Sequence, residues 1–137
     1  MITCAGRRRV VNIVLYDRKK RFLLQLRTKD APRLPGYWAF FGGGIKTGES
    51  PQEAIERESL EELGFSPAAA ALFAEQDFIC GGRKMRRHVF VQRFIADKTS
   101  LRLGEGAGWG WLSLEETRKL RMCVRDRRML TLLRSRI

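Results

Sequence analysis

Residues 50–64 specify a helix with both ends fixed, and the rest of the chain must be built around it. Ser50 is an N-cap residue, Pro51 suits the first helical position, and Glu53, three residues after the cap, completes a capping box. Gly64 follows Leu63 as a left-handed stop, with Pro67 just beyond. The sequence therefore predicts a helix over residues 51–63. At 100° per residue from Ser50, Glu61, Glu58 and Glu62 fall at about 20°, 80° and 120°, so three carboxylates share one face. Ala54 and Ile55 lie on that face one turn earlier, while Leu60 and Leu63 point to the other side. A surface helix keeps its acids opposite a single apolar stripe; here apolar residues are expected on two faces, with the carboxylates sharing one of them.

Three like charges one turn apart repel one another and weaken an isolated helix. Arg57 can pair with Glu61 four residues on, and Glu53 can pair with Arg57, but one guanidinium does not neutralise three carboxylates. Hard divalent cations such as Mg²⁺ or Mn²⁺ are the natural partners of an all-oxygen set. Taken alone, the glutamates fit a solvated acidic face better than a site. The residues upstream reverse that balance. Gly42-Gly43-Gly44 lets backbone approach a ligand closely and can expose a carbonyl as a metal ligand, and Glu49 adds a fourth acid at the loop–helix junction.

From Gly43, five residues lead to Glu49, seven more lead to Arg57-Glu58, and Ser59-Leu60-Glu61-Glu62-Leu63-Gly64-Phe65 follows. This pattern resembles the Nudix box, a loop–helix–loop in which glycine, glutamate, an Arg-Glu pair, a Glu-Glu pair and glycine recur at these spacings. Ser59 is the one departure, standing where the family prefers an aliphatic residue, and is expected to weaken the packing of the helix slightly. Leu34-Pro35-Gly36-Tyr37-Trp38 and Trp111-Leu112-Ser113-Leu114-Glu115-Glu116 also resemble the family. The resemblance implies an α/β (α+β) fold, a Nudix-type α/β/α sandwich with a mixed β-sheet, as a single domain over residues 1–137. It implies a pyrophosphohydrolase that cleaves the diphosphate of a nucleoside diphosphate linked to another group. Glu58, Glu61, Glu62 and the Gly43 carbonyl would hold Mg²⁺ or Mn²⁺, Arg57 would orient the glutamates, and Glu49 would support the site. The proton of the attacking water would pass to Glu58 or to an acid from a distant loop. Glu105, within the glycine-rich residues 103–108, is the candidate for that acid.

Around the box, strands are expected at residues 9–16 and 21–27, joined as a hairpin by the polar turn 17–20. Pro32 and Pro35 make residues 28–36 a loop, and residues 37–41 are extended. Further strands are expected at 73–79 and 88–95, joined through the basic turn 81–84, and at 109–112. Ser113 to Glu116 spell a second capping box for a short helix, and residues 124–133 suit a final amphipathic helix. Strands interleaved with helices place the chain in the α/β or α+β class, with helices on both sides of a mixed sheet.

With 27 Lys and Arg against 15 Asp and Glu, the chain carries a formal charge of +12, and the acids concentrate near the box. A positive field around an acidic site draws in an anionic substrate with its metal. The expected substrate is a small nucleotide, a (d)NTP or a nucleotide sugar. Removal of pyrophosphate from the 5′ end of RNA is the alternative, with steep salt dependence as its mark. A non-catalytic nucleotide-sensing domain of this type erodes the box glutamates, which are all present here, and an isoprenoid diphosphate isomerase needs a cysteine and glutamate arrangement absent near the box. Arg27 is the candidate for a substrate phosphate and Trp38 for stacking on a base. Tyr37, Phe40 and Phe41 read as core, Arg83 to Arg87 mostly as solvated hairpin charge, and His88 as a partly buried structural residue. Cys4, Cys80 and Cys123 have no metal-ligand spacing and are expected to stay reduced thiols. No apolar run reaches the roughly 20 residues that span a bilayer, and the basic N-terminus lacks the apolar core of a secretory signal, so a cytoplasmic location without membrane contact is expected. No residue decides between a monomer and a homodimer.

Overall fold

The β-branched run near the N-terminus forms strand β1 (Arg8–Tyr16). Val10, Val11, Ile13, Val14 and Leu15 are all buried, although successive side chains point to opposite faces of a strand. The computed structural model describes residues 8–104 and 106–137. Two residues weighed from the sequence, Cys4 and Glu105, lie outside them. The described residues divide into two compact units, one holding the chain up to Val14, Phe41–Gln92 and Ala96–Gly104, the other Leu15–Phe40, Arg93–Ile95 and residues 106–137.

In the first unit, β1 runs antiparallel to β4 (Phe41–Gly44), with Val10 opposite Gly44 and Ile13 opposite Phe41. Helix α1 (Pro51–Leu63) follows, and its start is the expected capping box. Ser50 Oγ accepts the Glu53 N–H at 3.1 Å, and Glu53 Oε1 accepts the Ser50 N–H at 2.9 Å. Because Glu53 is held there, its expected pairing with Arg57 does not form. Gly64 ends the helix in the left-handed conformation. The helix buries Ala54, Ile55, Ser59, Glu62 and Leu63, whereas Leu60 is 59% exposed. The second apolar face expected from Leu60 is therefore absent. One stripe is buried, and it includes a carboxylate.

The same unit contains the antiparallel hairpin of β5 (Ala71–Cys80) and β6 (Arg83–Arg93), closed by Gly81-Gly82 with Cys80 opposite Arg83. Both glycines have positive φ, +58° and +77°, the conformation that a two-residue hairpin turn with matching twist requires. The turn is thus shorter, and β6 starts five residues earlier, than the basic run 83–87 implied. Phe41, Ile45, Ile55, Leu63, Met85 and Val89 are fully buried.

In the second unit, Tyr16 at the end of β1 pairs with Phe22 at the start of β2 (Phe22–Leu26), the expected hairpin. Asp17 holds the turn: its carboxylate accepts from the N–H groups of Lys19 and Arg21 at 3.0 and 2.8 Å, and from Arg21 Nε at 2.8 Å. Strand β2 also pairs antiparallel with β3 (Trp38–Ala39) and β7 (Gly108–Leu112). Helix α2 (Leu114–Thr117) opens on the second capping box, and α3 (Val124–Arg136) runs three residues beyond its expected end. Arg127 ties the two together, donating to the Thr117 carbonyl at 2.7 Å and the Leu120 carbonyl at 3.0 Å. Phe22, Leu23, Leu24, Leu130 and Leu133 are fully buried. A parallel bridge joins Trp38 to Met122. The strands and helices make an α+β fold with a mixed sheet, as the interleaved pattern implied.

Among the described residues, no helix is long and apolar enough to cross a membrane. Cys80 and Cys123 are free and half-buried. Ser50→Ala removes one side of the capping box and is expected to lower the unfolding free energy by about 1 kcal/mol. Urea titration followed by circular dichroism would read this as a lower midpoint at unchanged slope; an unchanged midpoint would show that the box is redundant.

Candidate active site

The capped start of α1 fixes the axis on which Arg57, Glu58, Glu61 and Glu62 sit, and β4 brings three successive glycines alongside them. Arg57 is the hub. Its Nε and Nη2 donate to the two carboxylate oxygens of Glu49 at 2.8 and 2.9 Å, a bidentate fork. Nη1 donates to Glu58 Oε1 at 2.9 Å and lies 3.5 Å from Glu61 Oε2, and Nη2 also reaches the Gly44 carbonyl at 2.9 Å. One planar group thus ties the loop acid, two helix acids and the strand backbone together. A lysine, with one nitrogen, could not make that fork.

This pairing sets the local electrostatics. The hydrogen bonds from Arg57 hold the Glu49 carboxyl at about 2, well below its ordinary 4.5, and Glu49 in turn drives the Arg57 guanidinium further towards its charged form. Both stay ionised at any physiological pH.

The glycines let backbone and carboxylate meet. Gly42 has φ +150°, and a Cβ there would collide with the Val11 carbonyl oxygen on the neighbouring strand. Its N–H donates to Glu62 Oε1 at 2.8 Å, so Glu62, only 5% exposed, is buried with a charge-assisted partner. A Cβ at Gly43 would stand within the Glu58 carboxylate, 2.8 Å from Oε2 and closer still to Oε1 and Cδ. Only glycine allows this approach. Glu61, by contrast, projects outward with its side chain 56% exposed.

The structure therefore brings together Gly43, Glu49, Arg57, Glu58, Glu61 and Glu62. Arg27 and Trp38 fall in the second unit. Arg27 Nε donates to the Arg33 carbonyl at 2.7 Å, and the residue lines a shallow cleft of about 240 Å³ with Gln25, Thr28 and Asp30. Trp38 is half-buried and its main-chain N–H donates to the Arg121 carbonyl at 2.8 Å. Among the described residues, no group of three or more His, Cys, Asp or Glu side chains is gathered ready to hold a metal ion. The donors are nonetheless hard oxygens throughout, set against backbone that any side chain at Gly43 would obstruct, and this chemistry fits a hard divalent cation.

Several residues take roles the sequence did not assign. The Gly42 N–H and the Gly44 carbonyl were legible only as part of a glycine run. Ser59 is fully buried and its Oγ has no hydrogen-bond partner, a stronger form of the expected misfit. Arg87 is not solvated: it is buried, donates to Gln76 Oε1 at 2.7 Å and lies over the Phe78 ring. His88 is buried, with Nδ1 3.0 Å from Glu75 Oε1, and burial pushes its imidazole below the ordinary range despite that carboxylate.

A model of the NUDIX domain family matches residues 6–133. The chain is 29% identical over 132 residues to a protein named RNA pyrophosphohydrolase from Thioalkalivibrio sulfidiphilus, a match covering 82% of this chain and 73% of that one. It is 40% identical over 58 residues to the nucleoside triphosphatase NudI of Escherichia coli, where the match takes in 42% of this chain and 41% of NudI's length. A MutT NUDIX hydrolase of Burkholderia pseudomallei shares the fold, with a TM-score of 0.78 and 25% identity over 91% of this chain and 96% of that one.

Two outcomes are expected from these contacts. Ser59→Ala removes a buried hydroxyl that bonds to nothing and is expected to raise stability by about 1 kcal/mol, read as a higher urea midpoint. For Glu49, the folded carboxyl titrates near 2 and the unfolded one near 4.5. Between these values the unfolded chain holds more protons, so the stabilisation is complete above about pH 4.5 and is lost as pH falls towards 2. Glu49→Gln is expected to flatten the pH dependence of stability in that window by up to about one proton, and an unchanged slope would exclude the assignment.

Proposed function

Because the chain belongs to the NUDIX family and is a pyrophosphohydrolase of that family, we propose that it cleaves the diphosphate linkage of a small nucleotide, a (d)NTP or a nucleotide sugar, at the Arg57 cluster. The observation that carries this reading is the contact between Gly43 and Glu58. A carboxylate lies where a side chain would otherwise stand, is oriented by Arg57, and has the buried Glu62 on the next glycine.

Glu58, Glu61, Glu62 and the Gly43 carbonyl would hold Mg²⁺ or Mn²⁺. When bound, such an ion supplies positive charge against the bridging phosphates and lowers the pKa of water. The chain's own residues do the positioning. Glu49 holds the Arg57 fork in place, and Arg57 fixes the Glu58 carboxylate. As water oxygen bonds to phosphorus, the anhydride P–O bond breaks and the leaving phosphate departs with its electron pair. The water's proton passes to a carboxylate, Glu58 or Glu105.

A Mg²⁺-dependent hydrolysis screen over nucleoside triphosphates, nucleotide sugars, dinucleoside polyphosphates and triphosphorylated RNA tests this. At least one small nucleotide is expected to turn over. Glu62→Gln keeps an acceptor for the Gly42 N–H but removes the charge, and is expected to lower kcat by roughly 100-fold. Absence of turnover, or full activity in the variant, would overturn the mechanism.

The name of the Thioalkalivibrio relative and the +12 charge favour a second substrate, the triphosphorylated 5′ end of RNA. That reading requires hydrolysis of the RNA with a steeper salt dependence than any mononucleotide shows.

A further inference from the structure

Beside the carboxylate cluster lies a second, cationic surface. Arg8, Gly44, Ile45, Lys46, Arg57 and Glu58 line one shallow cleft of about 540 Å³ within the first unit. Its floor is Gly44, and the absence of a side chain there has a specific occupant. A Cβ at Gly44 would stand 3.0 Å from Arg8 Nη2 and 3.8 Å from its Cζ and Nε, so the Arg8 guanidinium lies over bare backbone. The other face of that peptide is already held, its carbonyl accepting from Arg57 at 2.9 Å.

The three cations of this cleft differ in what they do. Arg57 is bonded to Glu49, Glu58 and Gly44, so its donors face protein. Neither Arg8 nor Lys46 is paired with a carboxylate among the described residues. Lys46 is exposed, and its field acts on Glu49 without closing an ion pair. Arg8 is half-buried, its guanidinium set against Gly44, and it lines the cleft together with Glu58. Two unpaired cations beside an acidic centre repel metal and attract phosphate.

Resting on the function proposed above, we propose that Arg8, assisted by Lys46, binds a phosphate beyond the scissile linkage, so that the site favours polyphosphate substrates over diphosphates capped by a sugar. Arg8 is a specificity-determining residue in this reading. Its planar fork matches two oxygens of a terminal phosphoryl group, whereas a sugar offers it neutral hydroxyls. Lys46 adds charge from the rim.

The test compares ATP with ADP-ribose, which share a nucleoside and differ in whether a phosphate or a sugar follows the diphosphate. Steady-state kinetics with Mg²⁺ are measured on the full chain for wild type, Arg8→Ala, Arg8→Lys and Lys46→Ala. For Arg8→Ala, the loss in kcat/KM on ATP is expected to exceed the loss on ADP-ribose by about tenfold or more, the value of one charged hydrogen bond. Arg8→Lys is expected to recover part of that difference, and Lys46→Ala to show a smaller one. Equal losses on the two substrates, or none, would overturn the proposal. A second measurement is independent of turnover: binding of inorganic tripolyphosphate by calorimetry without metal. Wild type is expected to bind, with Arg8→Ala weakening it by about tenfold or more. If wild type hydrolyses nothing yet binds tripolyphosphate through Arg8, the catalytic reading fails and this one stands. If wild type is active and Arg8→Ala binds and discriminates as wild type does, the reverse holds.

Discussion

The carboxylate cluster depends on one guanidinium. Arg57 reaches Glu49 in the loop, Glu58 and Glu61 on its own helix, and the Gly44 carbonyl on β4. Without it, the loop acid and the helix acids would repel one another at the point where strand turns to helix. With it, like charges one turn apart become a fixed set, because their mutual repulsion is offset by a cation that cannot lose its proton. The bidentate fork on Glu49 also explains why that acid matters although it lies before the helix cap. It fixes the plane of the guanidinium and hence the direction of every other bond from it.

The second constraint is backbone proximity. Three consecutive glycines allow β4 to present, in turn, an N–H to Glu62, bare backbone to the Glu58 carboxylate and a carbonyl to Arg57. Each contact needs a different atom, and a side chain at position 42 or 43 would displace or obstruct the first two. The buried charge of Glu62 is tolerable because its acceptor is satisfied by a main-chain donor. Ser59, one turn earlier on the same buried stripe, has no such partner. The helix therefore carries a satisfied polar group and an unsatisfied one on the same buried stripe.

Charge has a finer structure than its total. The excess of Lys and Arg is dispersed along the chain, and individual members do unlike things. Arg57 orders acids, Arg127 holds carbonyls between α2 and α3, and Arg87 is buried against Phe78 and Gln76. Arg8 and Lys46 are left to face a cleft. A positive total predicts attraction to phosphate in general; which cations are free to meet it depends on what each is bonded to.

Much of the fold and part of the site were legible in the residues alone. Both ends of α1, the shared face of Glu58, Glu61 and Glu62, the β1–β2 hairpin and the capping box at Ser113 follow from capping chemistry, periodicity and turn residues, which act within a few positions. The sequence could not say that Glu62 goes inward while Leu60 stays in water. Nor could it say that Arg57 would take Glu49 and not Glu53 as its partner, or that Arg8 would lie over Gly44. These were decided by partners distant in the chain: Gly42 lies 20 residues from Glu62, and Gly44 lies 13 from Arg57. Local rules specify which side chains share a face. Which of them meets backbone, cation or water is set only when another segment arrives to compete for it.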